Sequence, residues 1–171
     1  FRYEANATVK VRIDTVLAFY KRELAARGWT EVGAAKIEGT RATADYKSPE
    51  GPARLTIERQ GDVTQATLAV RQETEAQKSG LLPKKGMVRL LFGSMADGAA
   101  VVTVSGRTIN VAPGVGTKGT DGPTMEVKAG TLKVTVKVGK QPPQTETVSV
   151  AEGEIWGLLI GPGGILPLQA Y

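Results

Sequence analysis

The side chains that most often do chemistry in proteins are missing from this sequence. Its 171 residues include no histidine and no cysteine. Without cysteine there are no disulfides, thiolate nucleophiles or zinc–cysteine sites, and without histidine the commonest general base and metal ligand are absent. The carboxylates, lysines and hydroxyl residues that remain could build a carboxylate pair or a Ser–Lys dyad. No recognisable spacing for either stands out, so we expect a non-enzymatic protein with no cofactor and no metal.

One pair of acids nevertheless has a suggestive spacing. Glu152 and Glu154 are two residues apart, and on a strand they would lie on the same face. Paired carboxylates carry out glycoside hydrolysis, so one alternative is a carboxylate-based hydrolase that acts on glycans. The dipeptide Glu152-Gly153 is more typical of a turn, however. The sequence therefore favours two solvated acids over a catalytic pair.

Trp156 and Tyr171 are the candidate ligand-binding residues. Trp156 precedes the glycine-rich segment 161–164, and an exposed tryptophan beside such a loop can stack on a sugar ring. A glycan-binding module is therefore a second alternative, which predicts that Trp156 or Trp29 is exposed. Trp29 follows Gly28, the residue expected to end a helix. There it would make the hydrophobic contact of a Schellman ending, so we expect it to pack.

A glycine motif in the second half resembles a nucleotide-binding fingerprint. Gly114-Val115-Gly116-Thr117-Lys118-Gly119 matches G-x-G-x-x-G. That fingerprint requires a helix that begins at the glycines, so that its N-terminus faces the pyrophosphate. Here the helix-breaking segment Thr120-Asp121-Gly122-Pro123 follows instead. We therefore predict a long mobile loop rather than a nucleotide site.

Charge and composition argue against nucleic acid as a partner and against a membrane-spanning segment. The net charge is +5, from 22 basic and 17 acidic residues, and aromatic residues make up only 5%. The basic residues form no tract, whereas nucleic-acid-binding proteins usually cluster lysine and arginine on one stripe. No apolar run is long enough to cross a bilayer. We therefore expect a soluble globular protein with no nucleic-acid partner and no integral membrane segment.

The pattern of apolar residues predicts a small α+β module over residues 1–72. Residues 2–11 alternate as a strand does, and a helical spacing follows at Ile13, Val16, Leu17, Tyr20 and Leu24. Three more alternating stretches, separated by turn signals, lie at 42–47, 55–58 and 66–71. The prediction is one helix on a four-stranded antiparallel sheet. The helix would cover one side of this sheet and leave the other side polar and free.

The rest of the chain predicts a linker and an all-β domain. Residues 73–86 are polar and then rich in Pro and Gly, as interdomain connections are. Residues 87–171 contain eight short strand-like segments between turn signals, which is typical of a β-sandwich. The clearest is 131–138, where Leu132, Val134, Val136 and Val138 alternate with polar residues.

Both halves resemble modules of bacterial secreted and envelope proteins. Residues 16–24, followed by Arg27-Gly28-Trp29, resemble the helix of a small β-α-β-β-β module. Residues 99–160 resemble PEGA-type domains, which are Ig-like or transthyretin-like β-sandwiches, through the segments 99–107, 127–136 and 147–154. Residues 82–171 are also similar to an uncharacterised bacterial domain, whose ending corresponds here to 154–157, 162–164 and 167–171.

These resemblances imply a location and a fold rather than a reaction. They imply a two-domain bacterial protein that is periplasmic, in the outer envelope or secreted. We therefore expect a non-catalytic structural or binding role, with an unknown protein or a cell-wall component as partner. Because the sequence begins at Phe1 rather than at methionine, we interpret it as a mature or trimmed chain.

Overall fold

The computed structural model describes residues 1–119 and 121–171. Thr120, the first residue of the predicted helix-breaking segment, lies outside the described residues. The chain divides into two compact units, Phe1–Lys78 and Ser79–Tyr171, and each unit has its own hydrophobic core. Within the described residues, neither helix has both the length and the apolar character that a membrane span requires.

The first unit is a five-stranded antiparallel sheet with one long helix packed on it. The spatial order of its strands is β1-β5-β4-β3-β2. In chain order the elements are β1 (Arg2–Val9), α1 (Ile13–Ala26), β2 (Thr30–Glu38), β3 (Arg41–Ser48), β4 (Gly51–Gln60), β5 (Val63–Arg71) and α2 (Glu73–Lys78).

The prediction of four strands in this unit was wrong, because β2 had not been recognised. A β-bulge interrupts β2 between Val32 and Lys36, where the register with β3 shifts. Gly33 has a φ of +75° within the bulge, and Ala35 N–H donates to Glu31 Oε1 at 3.0 Å. The extra residues break the alternation of side chains by which a strand is recognised in a sequence. The missed strand is at the edge of the sheet, beside β3.

The helix covers one side of the sheet, as its spacing predicted, and packs over β4, β3 and β2. Val16, Leu17 and Leu24 belong to one buried cluster with residues of β3, β4 and β5, among them Leu55 and Ile57. The helix ends as predicted at Gly28, whose φ is +78°. The Trp29 N–H donates to the Leu24 carbonyl at 3.0 Å and the Gly28 N–H to the Ala25 carbonyl at 3.0 Å, which are the two hydrogen bonds of a Schellman motif.

The second unit consists of two four-stranded sheets, with strand orders β11-β10-β7-β8 and β13-β12-β6-β9. Each of the eight predicted strand segments contains a strand. They are β6 (Met87–Ser94), β7 (Ala100–Val104), β8 (Arg107–Val111), β9 (Thr124–Lys128), β10 (Gly130–Val138), β11 (Gln144–Val150), β12 (Ile155–Gly161) and β13 (Gly164–Gln169). Buried residues from both sheets form one cluster that includes Phe92, Val134 and Leu158. The two sheets therefore share one hydrophobic core.

The predicted linker, 73–86, has contacts with both units. Its first part forms α2, in which Ala76 is fully buried and the Glu73 N–H donates to the Glu50 carbonyl at 3.3 Å. Its later part is held to the second unit, where Arg89 Nη1 donates to the Gly80 carbonyl at 2.8 Å. The Lys84 N–H also donates to Glu126 Oε1 at 3.2 Å. The boundary between the two units therefore falls within the segment predicted as linker.

The glycine motif lies in a loop, as predicted, and described residues at both ends of this loop form hydrogen bonds with β6. The Ser94 N–H donates to the Val115 carbonyl at 2.8 Å, and the Gly114 N–H donates to the Ser94 carbonyl at 2.8 Å. At the far end of the loop, the Phe92 N–H donates to the Pro123 carbonyl at 2.9 Å. These backbone hydrogen bonds hold both ends of the loop, and the expectation that the loop is mobile stays a prediction. The next element in the described chain is the strand β9.

We expect the stability of the first unit to fall in alkali because of Tyr46. This residue is 3% exposed, and its hydroxyl has no hydrogen-bond partner among the residues that the structure describes. Burial, together with the Glu31 carboxylate, raises its pKa above the ordinary 10.0. Above that pH the unfolded chain loses a proton that the folded unit retains, so stability is complete below about pH 10 and falls as the pH rises further. Urea unfolding measured from about pH 8 to pH 11 checks this.

The variant Tyr46→Phe should reduce the loss of stability in alkali. It should change stability at neutral pH by about 1 kcal/mol or less, because the hydroxyl it removes bonds to none of the described residues. Tyr20→Phe is the control, since it removes the hydroxyl of a partly buried tyrosine on α1 of the same unit and should retain the loss. An unchanged alkaline slope in Tyr46→Phe would contradict the prediction.

Candidate functional site

The structure brings the two predicted site residues close together at the C-terminal end of the second unit. Trp156 lies on β12, paired with Leu90 of β6 and Gln169 of β13. The Tyr171 N–H donates to the carbonyl of Ile155 at 3.1 Å, and the Ile155 N–H donates to the carbonyl of Tyr171 at 3.4 Å. The chain end is thereby attached to β12, one residue before Trp156.

A buried carboxylate that the sequence interpretation had treated as solvated organises this region. Glu154 is 8% exposed. Its Oε2 accepts hydrogen bonds from the indole Nε1–H of Trp156 at 2.7 Å and from the backbone N–H of Ala151 at 2.8 Å. Its Oε1 accepts one from Gln169 Nε2 at 2.9 Å. The carboxylate therefore joins β12, β13 and the turn that precedes β12.

The two acids of the suggested carboxylate pair lie in different environments. Glu152 is exposed, and its Oε1 accepts a hydrogen bond from the Gly86 N–H at 2.6 Å. The following Gly153 has a φ of +81°, which confirms the turn predicted for Glu152-Gly153. The expectation of a solvated acid was right for Glu152 and wrong for Glu154. The alternation pattern could not show this, because the donors to Glu154 are the Gln169 side chain on β13, the Trp156 indole and the backbone N–H of Ala151.

The aromatic candidates have packing and hydrogen-bonding roles. Trp156 and Trp29 are both partly buried and each packs against the core of its own unit. Tyr171 is 6% exposed, and the polar end of Trp156 is engaged by Glu154. These contacts do not show whether Trp156 or Tyr171 binds a ligand. The ligand-binding role of the two residues therefore stays a prediction.

An ion pair next to this region holds the segment that leads into the second unit. Arg89 Nη2 contacts Glu126 Oε1 at 2.8 Å, across paired positions of β6 and β9. The hydrogen bond from Arg89, supported by the N–H of Lys84, holds the pKa of Glu126 below its ordinary value. The Arg89 guanidinium and the Glu126 carboxylate bond to each other and to backbone groups, so we interpret the pair as structural. Within the described residues, no three side chains of the types that bind metals lie close enough to hold an ion.

The first unit presents a different kind of surface, the polar side of its sheet that α1 leaves uncovered. We refer to it as the open sheet face. Its central row crosses all five strands of the sheet, through residues that are directly opposite one another in the register. This row consists of Lys36, Thr43, Thr56, Thr67 and Asn6. Thr67 Oγ1 donates to Asn6 Oδ1 at 2.7 Å.

Charged residues of both signs flank the central row. On one side Arg41 Nε contacts Glu58 Oε1 at 3.3 Å, and on the other Arg54 Nε contacts Asp45 Oδ1 at 2.6 Å. Beside Glu58 the surface has a shallow depression of about 240 Å³, lined by Thr56, Glu58, Gln65 and Thr67. A second depression of about 200 Å³ is lined by Lys36, Glu38, Arg41 and Thr43.

The open sheet face can form hydrogen bonds and ion pairs, but it offers no platform for stacking. Its central row carries hydroxyl, amide and ammonium groups, and the flanking positions carry both carboxylates and guanidinium groups. None of the residues in the central row or in its flanking ion pairs is aromatic. A flat, mixed-charge surface of this kind suits a partner that has its own donors and acceptors.

No model of a known protein family matches this sequence, and no curated protein is significantly similar to it.

Proposed function

We propose that this chain is a non-catalytic bacterial protein of the envelope or the secreted fraction, with a structural or binding role. In this proposal the second unit is an Ig-like or transthyretin-like sandwich of the PEGA type. The resemblance in residues 99–160 supports it, together with the core that the two four-stranded sheets share. The resemblance of the helix segment supports an envelope or secreted location for the first unit.

The observation that carries the binding role is the open sheet face. A sheet that is covered on one side only presents a row of polar side chains with fixed spacing, because each is held by the pairing of its strand. The positive and negative groups alternate across this face, as at Arg41–Glu58 and Arg54–Asp45. A uniformly charged polymer would meet repulsion here, whereas a protein surface can match both signs. The preferred partner is therefore a protein.

Sedimentation with envelope fragments of the bacterium that makes the protein tests this proposal. The wild-type chain should sediment with the fragments and should no longer do so after their proteins are digested. The double variant Thr56→Lys with Thr67→Lys places two cations in the centre of the face, and we expect it to lower the bound fraction about tenfold. The matched control is Thr131→Lys with Thr147→Lys, at exposed positions of the second unit, which should bind like the wild type.

The cell-wall and enzyme alternatives predict different results. Binding that survives protein digestion and is competed by soluble peptidoglycan fragments would replace the protein partner with a glycan. Such a glycan should also protect Trp156 from acrylamide quenching if Trp156 is the stacking residue. Release of reducing sugar from peptidoglycan, lost in Glu154→Gln, would support the hydrolase instead. The absence of any sedimentation would overturn the binding role.

A further inference from the structure

We propose that β1 is the interface of a symmetric homodimer, in which the β1 strands of two copies pair antiparallel. The two five-stranded sheets would then form one continuous sheet. This inference rests on the edge of the first unit and does not depend on the proposed envelope function.

The outer edge of β1 has unused backbone groups in a regular order. β1 pairs only with β5 in the described sheet, and the N–H of Gln72 donates to the carbonyl of Phe1 at 2.8 Å. This bond makes Phe1 and Gln72, which continue the register of β1 with β5, a hydrogen-bonded pair. Hydrogen-bonded and non-hydrogen-bonded pairs alternate along an antiparallel ladder, so the other odd-numbered residues of β1 also bond to β5. Glu4, Asn6 and Thr8 therefore direct their backbone N–H and C=O groups away from the sheet.

The other long edges have features that hinder the addition of a strand. β2 carries the bulge between Val32 and Lys36, and β13 contains Pro167, which lacks a backbone donor. β11 begins with the polar residues Gln-Thr-Glu-Thr, so a strand added there would bury no apolar side chain of this segment. β1 runs through eight residues without proline, glycine or bulge. It is therefore the edge best suited to pairing.

An exposed apolar strip lies beside these unused backbone groups. Tyr3 is 58% exposed and Val9 is 38% exposed, and the exposed Ala5 lies between them. All three are on the same side of the sheet as α1, because their partners on β5 are Val70, Leu68 and Thr64. The helix α1 packs over β4, β3 and β2, and these three side chains at the β1 margin stay exposed. An apolar strip along an unpaired edge attracts another strand.

The sequence of β1 is complementary to itself, and this identifies the occupant as a second copy. With Asn6 opposite Asn6 of the other copy, Tyr3 lies opposite Val9, and this contact occurs twice by symmetry. In the same register Ala5 lies opposite Ala7, and Glu4 lies opposite Thr8. Aromatic and β-branched side chains form one of the favourable cross-strand pairs. The register thus covers both exposed apolar side chains and brings no two acids together.

The only like-charged pair in this register falls at its ends. Arg2 would lie opposite Lys10, which is beyond the last residue of β1. Each already has an acidic partner in its own chain, since Lys10 contacts Asp62 at 3.5 Å and Arg2 contacts Glu4. Because the Lys10–Asp62 pair is exposed to solvent and the ends of the ladder can fray, this opposition is compatible with the dimer.

The oligomeric state of wild type and two matched variants, measured by analytical ultracentrifugation, tests the proposal. Tyr3→Lys and Ile37→Lys change side chains of nearly equal exposure, 58% and 59%, at opposite edges of the same sheet. The wild type should be a dimer. Tyr3→Lys should raise its dissociation constant about tenfold, because two cross-strand pairs are lost, while Ile37→Lys should not change it. A monomeric wild type, or a dimer that Ile37→Lys weakens and Tyr3→Lys does not, would overturn the proposal.

A cysteine cross-link tests the register and does not depend on the folding of Tyr3→Lys. The chain has no cysteine of its own, so Asn6→Cys introduces a single thiol at the proposed two-fold axis. Mild oxidation should convert most of this variant to a disulfide-linked dimer, since directly opposite residues of a ladder come within disulfide range. Glu146→Cys, on the exposed start of β11, is the control and should stay largely monomeric. Equal cross-linking of both variants would contradict the register.

Discussion

Replacing Gly122 by alanine should lower the free energy of unfolding of the Ser79–Tyr171 unit by about 3 kcal/mol. A Cβ at this position would lie 2.0 Å from the carbonyl oxygen of Phe92. Phe92 is 1% exposed in the centre of the core, and its strand β6 is held between β12 and β9. Neither the strand nor the loop can move aside without breaking the hydrogen bond between Phe92 and Pro123. The added methyl group therefore forces the loop away from β6.

Two neighbouring glycines support the same conclusion. A Cβ at Gly116 would lie 2.4 Å from the Phe92 oxygen, and one at Gly93 would lie 2.8 Å from the Gly116 oxygen. Gly93, Gly116 and Gly122 therefore allow the backbone of the loop to pass close to the backbone of β6. This packing, rather than a phosphate, accounts for the second glycine of the G-x-G-x-x-G motif.

The loss can be measured by urea unfolding in a Trp29→Phe background. Each unit contains one tryptophan, so in this background the fluorescence of Trp156 reports on the second unit alone. Gly163→Ala is the matched control, because a Cβ there meets nothing within 4 Å and Gly163 is not among the glycines with positive φ. We expect it to change stability by about 0.5 kcal/mol or less. Equal stability of the two variants would refute the close-approach argument.

Replacing Glu154 by alanine should lower the stability of the same unit by about 3 kcal/mol. The carboxylate accepts hydrogen bonds from Trp156, Ala151 and Gln169 in a buried setting. Alanine leaves these donors without their acceptor, and an unsatisfied buried polar group costs more than a hydrogen bond contributes. The emission of Trp156 should also shift, because its indole N–H loses the charged partner.

The conservative variant Glu154→Gln separates the loss of hydrogen bonds from the loss of volume. Its amide oxygen can still accept from Trp156 and Ala151, and Gln169 can turn its amide to present oxygen to the new NH₂ group. We therefore expect a loss of about 1 kcal/mol for Glu154→Gln. Glu146→Ala, at an exposed position of β11, is the control and should change stability by about 0.5 kcal/mol or less. A loss in Glu154→Ala no larger than in this control would show that the network contributes little.

The sequence predicted those elements whose signals are local. The alternation in 131–138 is enough to identify β10, since the side chains of a strand alternate between its faces whatever its neighbours are. The spacing from Ile13 to Leu24, followed by Gly28, predicted both the helix and its Schellman ending. The same local signals located all eight strands of the second unit.

The sequence failed where an element departs from its regular period. The strand β2 was not predicted, because the bulge at Gly33–Ala35 shifts the alternation of its side chains in the middle of the strand. The first unit was consequently given four strands instead of five. The helical turn at Glu73–Lys78 was also missed, since six residues are too few to show a helical period.

The contacts of the candidate site depend on segments that are distant in the sequence. The antiparallel pairing of β12 with β13 places Trp156 opposite Gln169, and no spacing within 150–160 could reveal the donor on Gln169. The need for glycine at Gly116 and Gly122 likewise arises only where the loop crosses Phe92. The sequence alone determined the secondary structure of most segments, because backbone periodicity is a local property. The tertiary structure alone decided which polar groups are buried and which strand edge stays open, because burial and pairing depend on neighbours brought together by folding.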